Sequence, residues 1–185
     1  MSLLNYEKYE KKINQLGNLY SYWKKEKDKR WKYISMVLEE IENINPRTMI
    51  EIGTNAIALS DFSDSINLKS VNVDTNNINN KNYLFDAKNT PWPINDKEYD
   101  LFVAMQVLEH LEPKQKEVFD EIKRISNYCI LTLPYLWNVP NDKLHHNISD
   151  EVIKNWTNGL TPYKTWICEN NGFDRIMLCY KFEKE

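Results

Sequence analysis

The chain has 185 residues, a formal net charge of −3 and a sequence pI near 5.7. That length suits one α/β domain with a sizeable core, and the acidic balance argues against a general nucleic-acid binder, because neutralising phosphates takes clustered Lys and Arg. Three widely spaced cysteines, no apolar run near the ~20 residues of a membrane span and no apolar leader predict free thiols, no membrane partner and a reducing, cytoplasmic setting.

From Leu3 to Ile44 the pattern is helical. Tyr6, Tyr9, Ile13 and Leu16 recur at three- and four-residue steps, and so do Ile34, Val37, Leu38 and Ile41. Gly17-Asn18 is placed to break the first helix from the next. Asn45-Pro46 ends the segment, since the residue before proline disfavours α geometry. Residues 1–33 carry nine Lys/Arg against four acids. Residues 1–46 therefore form an N-terminal helical extension, and 47–185 the main domain.

After Pro46, strand-like and helix-like pieces alternate. Strands are predicted at Arg47–Gly53, Ser70–Asp74, Asn82–Phe85, Tyr99–Met105, Tyr128–Leu133 and Arg175–Phe182. Helices are predicted at Glu112–Ser126, with Pro113 near its first turn, at Asp150–Trp156 and at Pro162–Asn171, the last closed by Gly172. This alternation points to a doubly wound, Rossmann-like, mostly parallel sheet with helices on both faces.

Ligands in such sheets bind beyond the carboxyl ends of the strands. Gly53, Asp74, Asp86 and Gln106 end or follow apolar stretches there. Asp74 lies 21 residues after Gly53, close to the ~20 expected for an acid that hydrogen-bonds a ribose. The spacing alone leaves a simple turn cap equally open.

Together with "FDAKNTPWPINDKEYDLFVAMQVLEHLEP" (Phe85–Pro113) and the "NNGFD" corner (Asn170–Asp174), these residues resemble the class I S-adenosylmethionine-dependent methyltransferases, in a small-molecule methyltransferase-11-like branch. The resemblance spans roughly residues 47–182. It implies S-adenosylmethionine as cofactor and a small-molecule acceptor. It implies Glu51 near the methionine amino group, Gly53 at the close approach of the backbone, and Asp74 on the ribose hydroxyls. Asp86 and Ala87 would meet the adenine, and Gln106 with Val107 would border the methionine portion. Where the family's second and third glycines belong, this chain has Asn55 and Ile57. Asn tolerates positive φ, so Asn55 can keep the turn. Ile57 either packs under the next helix or narrows the cleft.

The three histidines, His110, His145 and His146, all fall in segments expected at the cleft. A histidine suits proton removal from a hydroxyl acceptor, and His145 or His146 is the preferred base. An "E-x-x-E-H" run with later histidines holds a divalent metal in small-RNA 2′-O-methyltransferases, to which this chain is also similar. Here the first Glu is Gln106, a weak ligand for a hard cation, leaving Glu109, His110 and His146. No metal is expected, and the bland reading of Glu109-His110 is a helix-start pair that satisfies nearby backbone. Of the tryptophans, Trp137 is favoured for an acceptor pocket over Trp92, Trp156 and Trp166. The run "YSYWKKEKDKRWKY" fits a lid that attracts an anionic acceptor and fits a packed amphipathic helix equally well. The resemblance thus implies O-methylation of a sugar or glycan precursor, against two alternatives: a catalytically silent scaffold, or an RNA 2′-O-methyltransferase using a metal.

Overall fold

A computed structural model of the chain describes residues 3–53, 57–59, 69–73 and 85–183. The predicted helical segment forms three helices: α1 (Tyr6–Gln15), α2 (Ser21–Lys25) and α3 (Lys27–Ile44), with a 3-10 turn at Asn18–Tyr20. Asn5 caps α1, its side chain accepting from the Lys8 amide at 2.8 Å. Asn45 ends α3 in the left-handed conformation, φ 50°, which Asn adopts more readily than most residues.

The rest of the chain forms strands β1 (Thr48–Ile52), β2 (Lys69–Val73), β3 (Tyr99–Met105), β4 (Ser126–Pro134), β5 (Lys164–Cys168) and β6 (Arg175–Lys181). Helices α4 (Gln115–Ile125) and α5 (Asp150–Trp156) complete it. The sheet runs β2-β1-β3-β4-β6-β5. The first four of these strands are parallel, and β6 runs antiparallel to both β4 and β5.

Period-two alternation explains the layering. In β3, Phe102 and Ala104 face a core built with Val118, Phe119 and Ile122 of α4. Leu101 and Val103 face the opposite core, built with Tyr9 and Ile13 of α1 and Val37, Leu38 and Ile41 of α3. Every one of these side chains is at most 2% exposed. The N-terminal helices therefore cover the face of the sheet that carries Met49, Leu101, Val103, Ile130 and Met177. Glu40 ties α3 to the sheet edge, accepting from the Tyr163 hydroxyl at 2.7 Å and from the Lys164 ammonium at 2.5 Å.

One predicted helix is corrected. Within Pro162–Asn171 the chain forms strand β5, paired along its length with β6. Lys164, Trp166 and Cys168 turn inward to different degrees, while Thr165 and Ile167 are exposed, which is a two-residue period. Gly172 (φ 81°) and Asn171 (φ 51°) accordingly make the turn between two strands and do not end a helix. Of the predicted strand at Asn82–Phe85, residues 82–84 lie outside the described residues, and Phe85 is not in a strand. Trp92 belongs to the core, 3% exposed and stacked on Phe102 at 5.9 Å.

Candidate active site

The chain leaves β1 and β3 through left-handed residues. Gly53 follows β1 with φ 72°, and Gln106 follows β3 with φ 56°. At Gly53 the glycine is required twice over. A β-carbon there would favour neither the backbone angle nor the space, since it would lie 2.3 Å from Val107 Cγ2. Gln106 is not a glycine, and positive φ is costly for it. Its surroundings hold it in place. Its amide donates to the Thr132 carbonyl at 2.8 Å, and its side chain donates to Thr132 Oγ1 at 3.3 Å. Its Oε1 accepts from Arg175 Nε at 3.2 Å.

Glu51 sits one turn of the pleat before this opening and is 2% exposed. Its carboxylate accepts the Leu59 amide at 2.8 Å. Ile57 is 7% exposed and packs into the core of the N-terminal helices. It also borders the open space at these strand ends, and residues 60–68 beyond it lie outside the described residues.

A cavity of about 670 Å³ opens at these strand ends, within the ~300–1,000 Å³ typical of small-molecule sites. Its floor is Glu51, Ile52, Gly53, Gln106 and Val107, with Ile57 and Leu59 beside them. Tyr22 and Trp23 of α2 and Arg30, Tyr33 and Ile34 of α3 line the side formed by the N-terminal helices. His110, Trp137, Asp142, His145 and Arg175 close the other side.

Not all sequence candidates meet there. Asn55 and Asp74 lie outside the described residues. Asp86 and Ala87 are not among the cavity's described lining. Asp86 accepts the Lys88 amide at 2.9 Å, and the Ala87 carbonyl accepts the Trp92 indole N–H at 3.0 Å.

The loop after β4 separates the adjacent histidines. Trp137 and His146 pair as an isolated bridge, while His145 lies in the turn just before it, its amide donating to the Asp142 carbonyl at 3.2 Å. His145 turns to the cavity, stacked on Trp137 with ring centres 5.8 Å apart. Its Nδ1 lies 2.6 Å from Asp142 Oδ2. The carboxylate accepts a hydrogen bond from Nδ1–H, the tautomer in which Nε2 carries the lone pair. The same bond holds the Asp142 carboxyl below its ordinary range. His146 instead accepts the Val139 amide on Nδ1 at 3.1 Å and lines a separate hollow with Glu109 and Trp156.

His110 meets His145 edge-on at 5.0 Å. Partial burial, and next to it the nearby His145 ring, hold it below the usual imidazole range. Glu109, in the 3-10 turn Leu108–Leu111, is 1% exposed. Neither of its carboxylate oxygens has a well-aligned hydrogen-bond partner, and Oε1 lies 3.9 Å from His110 Nε2. Burial pushes its carboxyl up to about 8, against an opposing pull from its own amide and from Arg175. Glu109, His110 and His145 each offer a donor atom within 4.8 Å of the others. The sequence-based set had His146 in the place of His145.

Sequence reasoning missed Asp142 and Arg175. Asp142 stood three residues before a candidate base, the reach of a tight turn. Arg175 opens the last strand directly after the "GFD" corner.

No protein-family model and no curated sequence matches the chain. Solved structures do. The N-methyltransferase NodS from Bradyrhizobium japonicum WM9, in complex with S-adenosyl-L-homocysteine, superposes with a TM-score of 0.66 at 13% identity over 100% of both chains. An S-adenosylmethionine-dependent methyltransferase from Clostridium acetobutylicum gives 0.59 at 10% identity over 83% of this chain and 92% of that one. The N-terminal domain of EvdMO1, in the presence of S-adenosylhomocysteine and D-fucose, gives 0.58 at 8% identity over 81% and 82%. At such identities the likeness is one of architecture, and the chain has the α/β fold of the S-adenosylmethionine-dependent methyltransferases.

Proposed function

We propose that the protein is a methyltransferase that uses S-adenosylmethionine to methylate a hydroxyl of a small molecule, a sugar or glycan precursor. The observation that carries this reading is the Asp142–His145 pair at the rim of a cavity whose floor is Gly53, Glu51 and Gln106. The residues present fit the cofactor. Gly53 turns the backbone at the strand end with no side chain of its own, packed against Val107 where no β-carbon fits, and Glu51 and the Gln106 loop place polar groups beside the cavity. Glu51, Gly53 and Gln106 would hold its methionine end, and Asn55, Asp74, Asp86 and Ala87 its adenosine end. When bound, S-adenosylmethionine supplies an electrophilic methyl group on a sulfonium.

His145 Nε2 takes the proton of the acceptor hydroxyl as its oxygen attacks, and Asp142 stabilises the imidazolium that results. A hydroxyl has to lose its proton as it attacks, whereas an amine needs only to be in its neutral form before the attack, so a base held at the cavity favours oxygen. Trp137 keeps the His145 ring in place, and the walls formed by α2 and α3 act as a lid that excludes water. EvdMO1, studied with a sugar, supports a sugar acceptor by analogy of fold. Transfer of a labelled methyl group to a panel of hydroxylated sugars tests the reading. Transfer only to amines would overturn its acceptor class.

A second reading is metal-assisted methyl transfer, favoured by the approach of Glu109, His110 and His145 donor atoms. It occupies His145 as a ligand and removes it as a base. Activity that a chelator abolishes and a divalent cation restores would select it.

A further inference from the structure

We propose that the acceptor is anionic, and that its carboxylate or phosphate is held between the guanidinium groups of Arg30 and Arg175. This rests on the methyltransferase reading above and names its substrate class. Arg30 lies flat on Trp23, with Cζ 3.8 Å from the ring centre, and its Nη1 donates to the Tyr33 hydroxyl at 3.1 Å. Its Nε–H is shielded from solvent and makes no hydrogen bond. Arg175 stacks on the same Tyr33, at 4.8 Å, and on Trp137, at 5.1 Å. Tyr33 thus bridges two cations within one cavity.

Neither guanidinium has a carboxylate within ion-pair distance among the described residues. The two acids that line the cavity are committed elsewhere. Glu51 accepts the Leu59 amide, and Asp142 accepts from His145. Half-buried charge without a counter-charge is costly. The aromatic faces offset part of that cost and fix the planes of the guanidinium groups. Arg175 donates Nε to Gln106 Oε1 at 3.2 Å and Nη1 to the Phe173 carbonyl at 3.4 Å. Each arginine thus keeps its Nη2 and the second hydrogen of Nη1 for an anion, the edge that binds carboxylate or phosphate in bidentate fashion. Trp137 carries both Arg175 and His145, so an anion at Arg175 places a nearby hydroxyl beside the base. A sugar acid or a sugar phosphate meets both demands.

The test is calorimetric titration of the protein loaded with S-adenosylhomocysteine, using D-glucuronate, D-glucose 6-phosphate, inorganic phosphate and D-glucose. The charged compounds should bind at least about tenfold more tightly than glucose. Arg30→Gln and Arg175→Gln should each remove most of that preference. Equal binding of charged and neutral sugars, or failure of every anion to bind, would overturn the proposal. The variants are also titrated with S-adenosylhomocysteine and with 5′-methylthioadenosine, which lacks the amino-acid carboxylate. A loss confined to S-adenosylhomocysteine would assign the anion to the cofactor and overturn the proposal. Wild-type affinity for S-adenosylhomocysteine, measured first, reads the methyltransferase assignment separately.

Discussion

Asp142 and His145 form a 2.6 Å hydrogen bond through Oδ2 and Nδ1, three residues apart in one turn. His146, the next residue, spends its own Nδ1 on the Val139 amide. The two histidines are therefore chemically distinct, although they are adjacent in sequence. His145→Ala should lower the methyl-transfer rate by about 100-fold or more, the usual contribution of a general base. Asp142→Asn should lower it less, by about tenfold, since the base remains but loses its orienting charge. His146→Ala should stay within about threefold of wild type. Steady-state rates with a hydroxyl acceptor check all three, and equal effects at 145 and 146 would contradict the assignment.

Gly53 is held by its backbone angle and by Val107. Gly53→Ala should cost about 2–4 kcal/mol, combining a left-handed alanine with overpacking. Adding Val107→Ala should recover the steric part and leave the backbone part. Urea denaturation of the two single variants and the double variant measures the coupling. Strict additivity would mean that the contact has no energetic consequence.

Glu109 makes stability depend on pH. In the folded chain its carboxyl titrates at about 8, against an ordinary value of 4.5. Below the ordinary value both states hold the proton. Between the two values only the folded state holds it, so stability falls as pH rises through this window. The slope is on the order of 1 kcal/mol per pH unit and levels off above the folded value. Glu109→Gln should flatten this contribution and be the more stable protein at the alkaline end. Parallel stability curves for the two proteins would contradict the upward shift of this buried carboxyl.

Ile57 stands where a glycine was expected from the resemblance, and it packs beneath the N-terminal helices. Ile57→Ala should destabilise the fold by about 2 kcal/mol or more. Affinity for S-adenosylhomocysteine should change by less than about threefold. A large rise in affinity would show that this side chain narrows the cavity.

The strands with strong apolar runs were legible in the sequence. Tyr99–Met105 is buried on both faces and has the residues and limits expected of it. Asp150–Trp156 was equally clear, since Ser149 caps it and its apolar residues follow the helical period. Strand β5 was not legible, because it is an edge strand. Ile167 is 49% exposed, so apolar residues appear on both of its faces and erase the two-residue alternation. Of the cavity's lining, Glu51, Gly53 and Gln106 were legible, because they sit at or near strand ends. The choice between His145 and His146 was not, because it depends on a loop register that only the Trp137–His146 bridge fixes. The arginine pair was hidden for a similar reason. Arg30 and Arg175 are distant in the chain, and they meet through Tyr33 only when α3 packs against the sheet.

The most direct measurement is calorimetric titration of the purified protein with S-adenosylmethionine and S-adenosylhomocysteine. The account predicts saturable, one-to-one binding of both in the micromolar range, weakened at least about tenfold by Gly53→Ala at temperatures where that variant is folded. Absence of heat and of any thermal stabilisation with either compound would contradict it and leave the fold as a catalytically silent scaffold.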